Sequence, residues 1–212
     1  MGRPRTPKLD RDKIGAAALN LVDRDGDFTM PGLAAQLGVQ VAAIYHHIPG
    51  GRAEVIELIR VRATGQVDGT AFDRLPWDEA FPLWARSFLD AFRAHSTAIR
   101  LLATEPVRDP GIVAIYGSVA GGLRRAGFPD DQIFGIVTAA ESFFLGAALD
   151  SVAPDVMVTP GGDTPADLEA VLEAAPTGAE RHWQAFEIGV RVFVDGLRSL
   201  LDATLALQHG HP

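Results

Sequence analysis

Residues 40–52, QVAAIYHHIPGGR, gather side chains that hydrogen-bond to anions and to the edges of heterocycles: Gln40, Tyr45, His46, His47 and Arg52. Upstream, Thr29 precedes a hydrophobic run, and Arg3, Arg5 and Lys8 mark the first eight residues. None of these groups has the neighbours a catalyst needs. A side-chain nucleophile requires a base and an orienting group beside it, and this chain has no cysteine and no G-x-S-x-G, phosphate loop or paired-carboxylate motif. His95, Glu141 and His182 are metal-ligating types, but no HExxH-like spacing joins them. No catalytic residue, resident metal or cofactor is therefore expected. The chemistry that remains is recognition: cations and hydroxyls against phosphate, short side chains against base edges.

Charge placement supports that direction. The chain has 212 residues and a formal charge of −8, yet residues 1–64 hold nine Lys/Arg against seven Asp/Glu, and the remainder ten against twenty. A basic tip on an acidic body suits a protein that touches phosphate at one end only. The basic N-terminus is followed by no apolar stretch, so it is not a secretory signal. No run of about 18 apolar residues argues for a membrane span. Without cysteines the compartment is not set by redox logic, and cytoplasm is the default.

The elements that must position these residues all read as helices. Apolar residues recur at three and four, and no stretch alternates with period two long enough for a sheet. The pattern predicts helices over 11–25, 29–37 with Thr29 as N-cap, 40–47 and 52–67. Longer ones follow over 77–94, 97–104, 110–126 and 130–151, then a loop at 152–164, a short acidic helix after Thr164-Pro165, and a last helix over 180–207. The fold class is all-α: a three-helix head over 1–64 with a basic arm, and a larger helical body over 65–212.

Short helices joined through Gly38-Val39 match a helix-turn-helix, whose turn needs a permissive residue. Gly26, Thr29, Leu33-Ala34, Leu37-Gly38-Val39 and Ile44-Tyr45-His46-His47 together make the resemblance specific. This head resembles that of TetR-type bacterial transcriptional regulators, and FEIGVRVFVDGLRSLL is similar to the last helix of the tetracycline-repressor-like branch. The resemblance implies a homodimer that binds double-stranded operator DNA and is released by a small hydrophobic or amphipathic ligand. Met30-Pro31-Gly32 departs from the polar residues often found there, and PGGRAEV carries an extra glycine before Arg52.

On a helical wheel Val41, Ala42, Tyr45 and His46 face outward. That face lacks the Arg–guanine or Asn–adenine pairs that usually discriminate bases. Val41 and Ala42 can meet thymine methyls, Tyr45 can donate to phosphate, and His46 to a base or a phosphate. Gln40 caps its helix or reaches an adenine. Thr29 and Arg52 are further phosphate candidates, and Arg3 and Arg5, with Lys8, form an arm suited to an A·T-rich minor groove.

In the body, Trp84, Phe88, Phe92, His95, Leu102, Tyr116, Phe134, Thr138 and Glu141 are aromatic and polar in the proportion of a ligand pocket, though a helical core has the same makeup. Phe143, Phe186, Val190, Phe193 and Leu197 are expected at a four-helix dimer interface. The bareness of 40–47 keeps a second reading open: a dimeric small-molecule- or partner-binding protein with a weakened DNA head.

Overall fold

The computed structural model describes residues 9–209, so Arg3, Arg5 and Lys8 lie outside the described residues. Among the described residues ten α-helices run in order: α1 (Arg11–Asp25), α2 (Met30–Leu37), α3 (Val41–His47), α4 (Gly51–Ala63), α5 (Trp77–Arg93), α6 (Ala98–Leu102), α7 (Pro110–Ala126), α8 (Asp130–Asp150), α9 (Ala166–Ala174) and α10 (Gly178–His209). The fold is all-α, with a helix-turn-helix head and a larger helical body.

The chain forms two compact units whose division falls inside α5 and α7. The first takes the chain through Val67 together with Asp90–Gly117, so it also holds α6, which the sequence boundary at residue 64 leaves with the body. The second comprises Asp68–Leu89 and the chain from Ser118 onward.

In the first unit α1 starts because the Asp10 carboxylate accepts the Lys13 N–H at 2.8 Å, and it ends at left-handed Gly26. Its buried stripe, Ile14, Ala18 and Val22, packs against α2 and α4. Thr29 Oγ1 accepts the Gly32 N–H at 3.1 Å and opens α2, where Pro31 sits in the first turn at little cost because N–H groups there lack helical partners. Gly38, at φ 66°, reverses the chain into α3. Leu33, Ile44, Ile48, Val55 and Ile59 complete the core. The fourth helix stops at Ala63, short of residue 67, where the Thr64 hydroxyl donates to the Arg60 carbonyl at 2.9 Å and Gly65 follows. The sixth is confined to Ala98–Leu102.

The second unit is built around aromatic edges. Trp84 meets Phe72 at 5.9 Å, Phe81 at 5.8 Å and Phe144 at 5.0 Å between ring centroids, each near perpendicular. Phe72 arrives on a single 3₁₀ turn, Thr70–Asp73, that periodicity does not predict; Asp68 starts it by accepting the Thr70 N–H at 2.8 Å. Helix α8 is, by length and composition, apolar enough to cross a membrane, although the sequence shows no uninterrupted apolar run of that length. Its Ile133, Ile136, Val137, Ala140, Phe144 and Ala148 are buried in this chain, and α8 packs on α10.

Candidate nucleic-acid interface

Helix α3 buries Ile44 and presents Ala42, Tyr45 and His46 to solvent, with Val41 half-buried. Tyr45 is 45% exposed, enough for its hydroxyl to meet a phosphate. Gln40 occupies the N-cap position without a side-chain cap bond, so its amide faces outward. Thr29 is committed to capping α2. The extra glycine of the PGG turn has a structural reason. Gly51 lies at φ +61°, and a Cβ there would stand 3.1 Å from Tyr45 Cε1. The glycine lets the Tyr45 ring lie against the start of α4.

Arg52, expected at phosphate, is held within the head. One of its nitrogens lies 2.7 Å from Asp27 Oδ1, another donates to the Phe28 carbonyl, and the guanidinium sits 4.4 Å from the Phe28 ring centroid. The adjacent guanidinium keeps the Asp27 carboxyl below its ordinary range, against a smaller opposing effect of burial and with help from the Phe28 N–H.

The same holds for every basic side chain described up to Thr64. Arg11 pairs with Glu54, Lys13 with Asp10, Arg24 with Asp25, Arg60 with Glu57 and Arg62 with Asp12. Residues 9–64 contain six such cations and seven carboxylates. The excess positive charge of the head therefore resides in Arg3, Arg5 and Lys8. Sequence reading missed this pairing. Its only signal was the interleaving of acids with bases, because partners such as Arg52 and Asp27 stand 25 positions apart.

The pair Glu57–Arg60 joins α4 to the segment between α6 and α7. Glu57 Oε1 accepts the N–H groups of Arg108 at 3.0 Å and Asp109 at 2.7 Å. Arg60 donates to the carbonyls of Leu102 at 2.9 Å and Glu105 at 2.5 Å, and to Glu57 at 3.1 Å. Burial would raise the Glu57 carboxyl, but these donors outweigh it and hold it below its ordinary range.

The pocket candidates divide between the units. Phe92, His95, Leu102 and Tyr116 belong to the first, and Trp84, Phe88, Phe134, Thr138 and Glu141 to the second. His95 Nδ1 lies 2.9 Å from the Asp23 carboxylate, tying the end of α1 to the α5–α6 link. Trp84 and Phe88 are buried in the aromatic cluster, whereas Phe134 is 69% exposed and Thr138 donates to the Phe134 carbonyl. Among the described residues no cluster of three or more His, Asp or Glu side chains could hold a metal ion.

The residues expected at a dimer interface also pack within the chain. Phe143 stacks on Phe186 and Phe193 of its own chain, at 6.0 and 5.6 Å, and Phe186, Val190 and Leu197 are buried. These large side chains fill the space between α8 and α10. The outward faces carry Leu149 on α8, and Val192 and Leu200 on α10, all at least 40% exposed.

A helix-turn-helix head on a helical body with an aromatic core defines a class of DNA-associated regulators. Residues 73–201 match the model for "Tetracyclin repressor-like, C-terminal domain", and the chain belongs to the TetR family of transcriptional regulators. It is 30% identical over 151 residues to an HTH-type transcriptional regulator of Saccharopolyspora erythraea, covering 66% of this chain and 60% of that one. It is 25% identical over 146 residues to the HTH-type transcriptional repressor DrrR1 of Streptomyces coeruleorubidus, covering 67% and 53%. The chain thus spans a little over half the length of these curated relatives. Among solved structures, a possible TetR family regulator from Streptomyces coelicolor A3(2) is 28% identical with a TM-score of 0.63, covering 90% of this chain and all of that one. Streptomyces coelicolor ActR in complex with (S)-DNPA has 22% identity and a TM-score of 0.70, covering 92% and 99%.

Proposed function

We propose that this protein is a dimeric transcriptional repressor that binds operator DNA through α3 and is released by a small hydrophobic or amphipathic molecule bound in its helical body. The observation that carries the reading is the outward set Gln40, Ala42, Tyr45 and His46 on a helix anchored by buried Ile44. Such a helix offers thymine-methyl contacts and one or two hydrogen bonds per head, with affinity resting on phosphate. Two heads are required for a useful site, about one DNA turn or a multiple apart. The exposed apolar residues Leu149, Val192 and Leu200 are the surface on which α8 and α10 would meet a second copy.

The fold it shares with ActR, solved with a small molecule, supports a ligand in the body. The Glu57–Arg60 clamp would carry its effect to the head, because any shift of the α6–α7 link must move α4 or break buried bonds. The pairing of all six described head cations favours a second reading, a dimeric small-molecule- or partner-binding protein whose head no longer holds DNA. Fluorescence anisotropy on DNA flanking the protein's own gene separates the two. The repressor reading expects saturable binding at low salt that unrelated DNA of equal length does not match. An intact dimer with equal, weak binding to both DNAs establishes the second.

A further inference from the structure

The recognition helix carries no fixed charge of its own. Helix α3, VAAIYHH, has no Lys, Arg, Asp or Glu, and its ionisable side chains are Tyr45, His46 and His47. Around it, the six Lys and Arg side chains described up to Thr64 are each engaged by a carboxylate. Histidine is the side chain whose charge ordinarily changes between pH 5 and pH 8. Positive charge on the face that meets DNA therefore depends on protons.

The two rings differ in what surrounds them. His47 is half-buried and shares a groove with Asp10, Arg11 and Asp12 at the start of α1, and Arg11 donates to its carbonyl at 3.2 Å. A proton on His47 faces those carboxylates. His46 is exposed and forms no ion pair among the described residues; its ring meets the His47 ring edge-on, 5.7 Å between centroids. Helix α2, which packs on α3, has no charged residue. On α4, Arg52 is held by Asp27, and Glu54 by Arg11 and the Gly50 N–H at 2.8 Å. No carboxylate of α2 or α3 competes with a phosphate for His46. Both imidazoles lie in the last turn of α3, where the carbonyl end of a helix favours a cation.

We propose that His46 meets DNA as an imidazolium, so that operator binding takes up protons at α3 and strengthens as pH falls through the histidine range. The charged ring presents two N–H donors where the neutral ring has one. It also adds one neutralised phosphate per head. The sign follows from linkage: the DNA-bound head holds more protons than the unbound one, so affinity is gained at lower pH and lost as pH rises. Two charged rings this close oppose each other, which holds the uptake to about one proton per head. Once the ring is neutral, the excess charge of the head is that of Arg3, Arg5 and Lys8 alone. This inference rests on the operator reading and gives that site a regulator.

Anisotropy titrations of the full chain between pH 6 and pH 8 at constant ionic strength test it, on DNA flanking the protein's own gene and on unrelated DNA of equal length. Affinity for the flanking DNA should rise about tenfold or more from pH 8 to pH 6, as one proton per head allows. The salt slope should steepen over the same range by about two for a dimer. His46→Gln should flatten the pH profile and remove the added slope. His46→Arg should give the steeper slope at every pH, and His47→Gln should keep the rise. Melting curves establish that each variant folds. A rise that survives His46→Gln overturns the inference, as does saturable binding of equal strength at both ends of the range; either result leaves the repressor reading standing. Equal, weak binding to both DNAs at every pH overturns that reading and this inference together.

Discussion

Arg52 and Asp27 hold each other across the head at 2.7 Å, with the Arg52 guanidinium also over the Phe28 ring. The side chain best placed for phosphate at the start of α4 is thus neutralised by its own domain. Both partners are substantially exposed, so the pair contributes little to stability, about 0–1 kcal/mol. Asp27→Asn should leave the melting temperature nearly unchanged while freeing a cation for DNA. The expected result is tighter operator binding at low salt and a salt slope steeper by about one. Anisotropy titrations at several salt concentrations measure it, and an unchanged slope removes Arg52 from the phosphate contacts.

Glu57 and Arg60 behave differently because they are buried, at 14 and 10% side-chain exposure. Glu57→Gln strips the charge opposite Arg60 and should cost about 1–3 kcal/mol of stability. The carboxyl is held below its ordinary value of 4.5, so its contribution is complete above that pH and is lost as pH falls through the lower folded-state value. Thermal melts from pH 6 to pH 3 should show a steeper fall for the unmodified chain than for the variant. Other carboxyls held low, Asp27 among them, titrate alike in both chains, so the difference between the curves reports Glu57. Parallel curves would show that the charge does not stabilise the fold.

These two pairs mark what could be read from the sequence and what could not. Helix order followed from three-and-four spacing and from caps such as Thr29 and Gly38, because those signals act within one turn of chain. The outward face of α3 followed for the same reason. Pairings across 25 residues, such as Arg52 with Asp27, depend on how α1, α2 and α4 pack, and spacing does not encode that. The expected partner surface is a related case, since Phe143 and Phe186 stack on each other within the chain. An apolar stripe shows that a helix face is buried, but not by which chain.

Gly51 and Tyr45 give a local test of the recognition helix. Gly51→Ala places a Cβ at φ +61° and 3.1 Å from the Tyr45 ring, so backbone strain and steric crowding act together. A loss of roughly 1–2 kcal/mol in stability is expected, with weaker DNA binding because the ring is displaced. Tyr45→Phe keeps the ring and removes only the hydroxyl. It should weaken binding to matched and unmatched DNA equally, with no change in melting temperature, as a phosphate contact requires. A loss confined to the matched site would instead make Tyr45 a base contact.

The arm carries the remaining charge argument. Residues 9–64 hold six cations against seven carboxylates, and Arg3, Arg5 and Lys8 turn the head positive. The six are paired inside the head, so phosphate attraction should depend on the three that are not among them. Removing residues 1–8 is expected to lower the salt slope of binding by about two to three, roughly one for each phosphate the arm neutralises. It should not alter the melting temperature, since the described core begins at Ile14. Substituting only Arg3 and Arg5 by Ala should account for about two of that change. It should also reduce any preference for A·T-rich flanks, where a narrow minor groove concentrates negative potential. An unchanged slope in the truncated chain would move the electrostatic contacts to the paired cations, which would then have to exchange their carboxylates for phosphate on binding.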